Sequence, residues 1–226
     1  MDLAKLNMDF NSIFEPSINQ GTSGASNWRS KINGDGRFTV AALRSLIDCR
    51  SFADPPQAVA INWNKVVPIK VICFVWRAAL GRISSAEALQ KRGVAVHTSS
   101  CKWCGFDPEN ADHILVSCLF AKLVWSWIWK WCGMQDQNFT SINALLNFVE
   151  TWGMIPKKRL MLAAICYGVC WTLWRTRNER IFRNQCSSAS RITDEIISLV
   201  FFWFKYRGKL AKCNWQLWCI MPFGCL

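Results

Sequence analysis

Apolar residues recur at helical spacing through most of this chain. From Ile69 to Leu80, Val71, Phe74, Val75 and Ala78 form one stripe, the recurrence of a helix that buries a single face. Ser84-Ser-Ala-Glu87 then reads as a capping box, in which the serine oxygen and the glutamate carboxylate each satisfy an orphan amide. Gly93 closes that second helix, and Lys91 and Arg92 complement its negative end. After Cys118, Trp125, Trp127, Trp129 and Trp131 alternate as a strand would. A helix fits better, because Phe120, Leu123, Val124, Trp127, Ile128 and Trp131 fall on one stripe. Trp125 and Trp129 are left one turn apart on the far side, beside Lys122. Two readings stay open for them. A second layer of protein covers them, as the hydrophobic gain from an indole favours, or they form a platform for stacked bases. Further helices are predicted over 141–151, 157–184 and 191–207, joined by the turn-rich segments 153–156 and 187–190.

The expected fold is therefore mainly α: a small helical domain followed by a helical, Trp-rich carboxy-terminal region. Residues 1–27 read as flexible, with Pro16 and the run Gln-Gly-Thr-Ser-Gly-Ala-Ser-Asn. Residues 28–62 form an entry segment, in which Asn33-Gly34-Asp35-Gly36 predicts a tight turn feeding a strand over 37–40 and a helix over 41–49. Residues 63–135 would hold the small helical domain and 136–226 the helical carboxy-terminal region. The uncharged stretch from Leu160 to Trp174 is shorter than the roughly 20 residues a spanning helix needs, so no membrane partner is expected.

Composition sharpens this picture. The chain has 226 residues, 51% of them hydrophobic, and 12 cysteines. Its opening Met-Asp-Leu-Ala-Lys-Leu-Asn lacks the apolar core of a secretory signal, so the expectation is an intracellular protein, nuclear or cytoplasmic, whose thiols bind metal rather than cross-link. Cys166 and Cys170 share a helix face and read as packing; Cys213, Cys219 and Cys225 lack a histidine neighbour for a second site. The net charge is +12. Lys65, Lys70, Arg77, Arg82, Lys91 and Arg92 stand against Glu87 alone. Lys157, Lys158, Arg159, Arg175, Arg177, Arg180 and Arg183 stand against Glu179. Such blocks are either phosphate contacts, making RNA or DNA the partner, or a solvated surface that keeps an aromatic-rich chain soluble. Arg77, Arg82, Lys91, Arg92, Lys122 and Trp129 are the candidate nucleic-acid residues.

The sharpest chemical signal is C-x2-C-x8-H-x4-C at Cys101, Cys104, His113 and Cys118. Three thiolates and an imidazole match a closed tetrahedral structural zinc site, with no position left for a catalytic water. Gly105 follows the first pair, where a tight turn often needs positive φ. The alternative is that these cysteines are small core residues. His97, four residues before Cys101, is the rival ligand, but only His113 lies inside the Cys104–Cys118 interval. One structural Zn²⁺ is the expected cofactor, so the small helical domain over 63–135 is expected to be a zinc-stabilised, zinc-binding domain.

These residues also carry a resemblance. Trp63, Val-Pro-Ile-Lys-Val-Ile-Cys-Phe-Val-Trp-Arg-Ala (67–78), Arg-Ile-Ser-Ser (82–85) and Arg92-Gly93 resemble the reverse-transcriptase zinc-binding domain of plant LINE-type retrotransposons. Cys101 through Trp-Cys-Gly, Pro108-Glu109, His113-Ile-Leu and Cys118 to Val124-Trp125 is similar to that family's core. Trp28 with Gly36-Arg-Phe-Thr-Val40 resembles its entry motif, and Leu173-Trp-Arg-Thr-Arg-Asn178 with Ile181-Phe182 its link to a ribonuclease H-like domain. The resemblance covers about residues 28–186 and implies metal ligands at Cys101, Cys104, His113 and Cys118. It also implies an accessory region downstream of a polymerase domain, with that domain of the parent retroelement as a possible partner and template RNA or target DNA to handle. The chain departs from a full polyprotein in lacking a Tyr-x-Asp-Asp signature and an acidic cluster for two-metal chemistry, so no catalytic residue is expected. It looks like a detached carboxy-terminal piece of such a polyprotein. An architectural or protein-interaction module is the alternative function.

Overall fold

The computed structural model describes residues 14–16, 28–32, 34–43, 45, 61–96, 98–208 and 213–226. The chain divides into Met1–Ala58 and Val59–Leu226. In the first unit, β1 (Phe14–Pro16) pairs antiparallel with β2 (Trp28–Ser30), in the register Phe14↔Ser30. The strand thus lies before the Gly-rich turn and not at 37–40, and β1 falls inside the stretch expected to be flexible. The turn itself forms, with the Ser30 amide donating to the Gly36 carbonyl at 2.9 Å. Residues 40–43 are helical, and Thr39 Oγ1 takes the Ala42 amide as a cap. Residues 46–49, the end of the expected helix, lie outside the described residues.

The described part of the second unit is mostly helical. α1 (Ile69–Ala79) buries Val71, Ile72, Phe74, Val75 and Ala78, the expected stripe. α2 (Ala86–Lys91) starts one residue later than the capping box predicts. Ser85, not Ser84, is the N-cap, with its side chain taking the Ala88 amide. Glu87 therefore sits too early in the helix to complete the box and instead pairs with Lys91. Lys91 and Glu87 form only an exposed i,i+4 pair, worth little.

α3 (Leu119–Trp131), α4 (Ile142–Thr151), α5 (Pro156–Arg183) and α6 (Ala189–Arg207) follow, with Ser141 and Ser188 as N-caps and Asn184 ending α5 in a left-handed turn. α5 is buried without interruption from Met161 to Cys170, which accounts for its apolar run. α6 crosses it at Gly168, where a β-carbon would meet Val200 Cγ2 at 2.7 Å. Two short pieces that periodicity did not show, α7 (Trp215–Ile220) and a 3₁₀ turn (Pro222–Cys225), finish the chain. No described helix is long and apolar enough to cross a membrane.

α3 corrects the sequence reading. Its inward residues are Ala121, Val124, Trp125, Ile128, Trp129 and Trp131, while Leu123 and Trp127 are exposed. Trp125 and Trp129 stack on each other at 5.1 Å, and Phe139 and Phe148 close over Trp129. A second layer does cover the two indoles, and Trp129 is 0% exposed, so it is no platform for bases. The polar residues of α3, Lys122, Ser126 and Lys130 at i, i+4 and i+8, mark its outer side, and the wide apolar remainder holds the true inner stripe next to the expected one. Helices on both sides of residue 135 share one core.

Candidate metal centre

The metal loop is assembled from short backbone hydrogen bonds. Gly105 donates its amide to the Cys101 carbonyl at 2.8 Å with φ of 77°, so the turn between the first two cysteines uses the freedom of glycine as expected. Cys101 N reaches the Asp107 carbonyl at 2.8 Å and Glu109 N the Ser99 carbonyl at 2.7 Å, which closes a small hairpin. Asn110 Oδ1 then takes the His113 amide at 2.8 Å and starts a helical segment.

That segment winds as a π turn over His113–Ser117, and Cys118 N bonds the His113 carbonyl at 2.8 Å. An α-helix advances about 100° per residue, which would hold His113 and Cys118 about 140° apart. The wider turn brings both to one side, the kind of use to which such insertions are put. Cys118 leaves the turn with φ −58° and ψ 140° and serves as the N-cap residue of α3.

The ligand atoms of Cys101, Cys104, His113 and Cys118 all lie within 4.8 Å of one another. Cys101 Sγ and Cys118 Sγ are 3.8 Å apart, and Cys104 Sγ is 3.3 Å from His113 Nε2. Two sulfurs at tetrahedral angles, each about 2.3 Å from zinc, stand about 3.8 Å apart, so the donor set fits this ion. His113 Nδ1 faces Asp107 Oδ2 at 3.7 Å, a carboxylate on the side of the ring away from the sulfurs. Cys101, His113 and Cys118 are buried and Cys104 half-buried. As free thiols, Cys101 and Cys118 hydrogen-bond each other, which holds the Cys101 thiol well below its ordinary value and pushes that of Cys118 up. Backbone amides of Cys104 and Trp103 also favour the Cys101 thiolate. His97 lies outside the described residues.

Two carboxylates of the loop tie the centre to the helices. Glu109, 1% exposed, accepts from Arg177 Nε at 3.2 Å through Oε2 and from Arg177 Nη2 through Oε1. Its Oε1 also takes the Ala86 amide at 3.0 Å, which fills the role at the start of α2 that the sequence assigns to Glu87. Arg177 donates to Asn178 Oδ1 and lies 5.0 Å from the Trp174 ring. Asp112 Oδ1 takes the Ile142 amide at 2.8 Å, joining the loop to α4. Sequence reasoning missed these contacts. The only available signal was that Glu109 and Asp112 are acids within a basic chain. Beside the pair opens a cavity of about 700 Å³, with Leu89, Val94, Val96, Ile181 and the exposed Phe182 among its lining residues.

The basic blocks are partly used by the fold. Arg177 is buried with Glu109, Arg175 pairs with Glu195 and Glu179, and Arg159 bonds the Trp152 and Gly153 carbonyls. In the first block, Arg92 Nη2 reaches the Arg82 carbonyl at 3.4 Å and Arg82 N bonds the Arg77 carbonyl, which brings these three residues together. Lys91 is held by Glu87, and Lys122 is exposed on α3, apart from that cluster in the chain.

The remaining cysteines divide between core and surface. Burial pushes the Cys132 and Cys170 thiols up to about 12, and that of Cys166 up as well. Cys213 and Cys225 form a disulfide across the terminal helix, against the expectation of no cross-links, and Cys219 is exposed.

Residues 43–125, a minority of the chain that includes all four ligand residues, match the family model described as zinc-binding in reverse transcriptase. No curated protein and no solved structure matches the chain.

Proposed function

We propose that this chain is a zinc-stabilised accessory module derived from a retrotransposon reverse transcriptase of plant LINE type, which binds RNA or DNA and carries no catalysis of its own. One observation carries the reading: four ligand atoms of the right chemistry converge within 4.8 Å, inside a segment that matches a reverse-transcriptase zinc-binding family. Cys101, Cys104, His113 and Cys118 would hold a single Zn²⁺, whose part is to fix the loop. The chain's own residues then do the rest. Glu109 and Asp112 anchor α2, α5 and α4 to that loop, and the cations near α1 and α2 face solvent as phosphate contacts. The polymerase domain of a parent retroelement is the natural partner.

A purified sample should contain one zinc per chain by elemental mass spectrometry, and should bind oligonucleotides with affinity that falls steeply as salt rises. Primer extension on an RNA template should show no incorporation above a protein-free control. His113→Ala should lose the metal and much of the fold, since structural zinc contributes on the order of 10 kcal/mol; His97→Ala should lose neither. Full zinc occupancy in His113→Ala, or extension that tracks the protein, would refute the corresponding part. The apolar cavity beside Arg177 favours a second reading, a protein-docking module. A stoichiometric protein partner combined with negligible oligonucleotide binding would select it.

A further inference from the structure

The outward side of α1 is used by neither the metal centre nor the core. Ile69, Cys73 and Trp76 follow one another at i, i+4 and i+7, with Lys70 and Arg77 alongside at i+1 and i+8. Of these five, Cys73 is half-buried and the other four are exposed, while the opposite side of the helix is buried. Trp76 is 41% exposed, a large indole of the kind a fold normally covers.

Charge says what would cover it. Among the described residues, neither Arg77 nor Lys65 has an ion-pair partner, and Lys70 lies only over the Trp171 ring at 5.7 Å. No acidic residue occurs between Lys65 and Ala86. The chain turns back after α1 through the Arg82-to-Arg77 hydrogen bond, and Arg92 reaches the Arg82 carbonyl, which adds cations at that end of the helix. Arg77 and Lys70 on the same helix as a flat, exposed ring supply the two components of a single-strand site: the cations hold the backbone and the ring takes a base. A duplex keeps its base faces stacked inside and offers none to an indole.

We propose that the outer face of α1, centred on Trp76 and flanked by Lys70 and Arg77, is a stacking surface for single-stranded nucleic acid. This rests on the nucleic-acid reading above and names the site of contact, a role that buried Trp129 cannot fill.

The test uses the full zinc-loaded chain and fluorescently labelled oligouridylate, oligothymidylate and a DNA hairpin duplex, titrated by anisotropy at several salt concentrations. Trp76→Ala should weaken single-strand binding about tenfold or more, since stacking on one base has about that worth, and leave duplex binding unchanged. Trp76→Phe should keep most of the affinity. Lys70→Gln with Arg77→Gln should lower the single-strand salt slope by roughly 1.4, the loss of two phosphate contacts. Trp127→Ala, an exposed indole on α3, should change nothing. Melting curves check each fold; if Trp76→Ala is destabilised, Trp76→Gln and the charge variant decide. The stronger of the uridylate and thymidylate arms identifies RNA or DNA as the strand. If the wild-type chain binds but Trp76 and charge variants bind equally well, the surface lies elsewhere and the nucleic-acid reading survives. If the wild-type chain binds none of the probes, both fall. If sedimentation shows that Trp76→Ala dissociates a dimer without altering affinity, the face is a self-association surface and the proposal is overturned.

Discussion

Replacing Glu109 by alanine should be among the most damaging single changes outside the metal ligands. Its carboxylate is almost wholly enclosed, holds the Arg177 guanidinium through both oxygens, and takes the first amide of α2. Removing one partner of a buried ion pair costs about 3–5 kcal/mol, because the other charge is left without compensation. The Ala86 amide loses its acceptor as well, and a buried orphan donor costs about 1–3 kcal/mol. These contributions overlap, so a total near 4–5 kcal/mol is expected. At about 2–4 °C per kcal/mol for a chain of this size, the melting temperature should fall by roughly 10–15 °C. Urea denaturation of the zinc-saturated protein measures the loss directly, and hydrogen exchange should show α2 opening first. Arg177→Met alone strands the carboxylate and should cost a similar amount. The double variant Glu109→Ala with Arg177→Met removes both charges and should be clearly more stable than the sum of the two singles predicts. A loss below 1 kcal/mol in Glu109→Ala, or strict additivity in the cycle, would show that the pair holds nothing together.

Gly168→Ala places a methyl against Val200 on α6 and should cost about 1–3 kcal/mol despite the better helix propensity of alanine, read as a lower urea midpoint. At pH 7 a thiol reagent should label Cys186 in the folded protein and spare Cys132, Cys166 and Cys170, whose burial keeps them protonated; mass mapping before and after denaturation checks this. The hydrogen bond from Lys91 holds the Glu87 carboxyl below its ordinary value, so its small contribution is present above about pH 4.5 and fades as pH falls through the folded-state value. Lys91→Gln should therefore weaken that acid-side dependence of α2, leaving the smaller part that Asn110 supplies, while changing stability at pH 7 by less than about 1 kcal/mol.

Legibility from sequence followed how local each decision was. The buried stripe of α1, the ends of α4 and α6 and the ligand spacing are written in neighbouring residues, and the structure repeats them with shifts of a residue or two. α3 was misjudged although Lys122, Ser126 and Lys130, at i, i+4 and i+8, mark its outer side; the wide apolar remainder let a neighbouring stripe pass for the inner one, and Phe139 and Phe148 close over Trp129 while Trp127 stays exposed. With serines at both 84 and 85, the start of α2 depended on a carboxylate more than twenty positions away, Glu109. The basic block of α5 looked like a solvent face, yet Arg177 turns inward to meet that same carboxylate. Contacts across such separations leave no periodic trace.

Cys118 is both the last residue of the candidate metal cluster and the residue from which α3 begins. There is no slack between the two roles. A substitution that reshaped the loop would rotate the indoles of α3, and one that repacked those indoles would drag a sulfur off its mark. In an evolving lineage the ligand spacing and the aromatic core are therefore bound to change together or not at all. A chain that lost zinc would not decay into a quieter version of this fold; it would need a different helix after the loop.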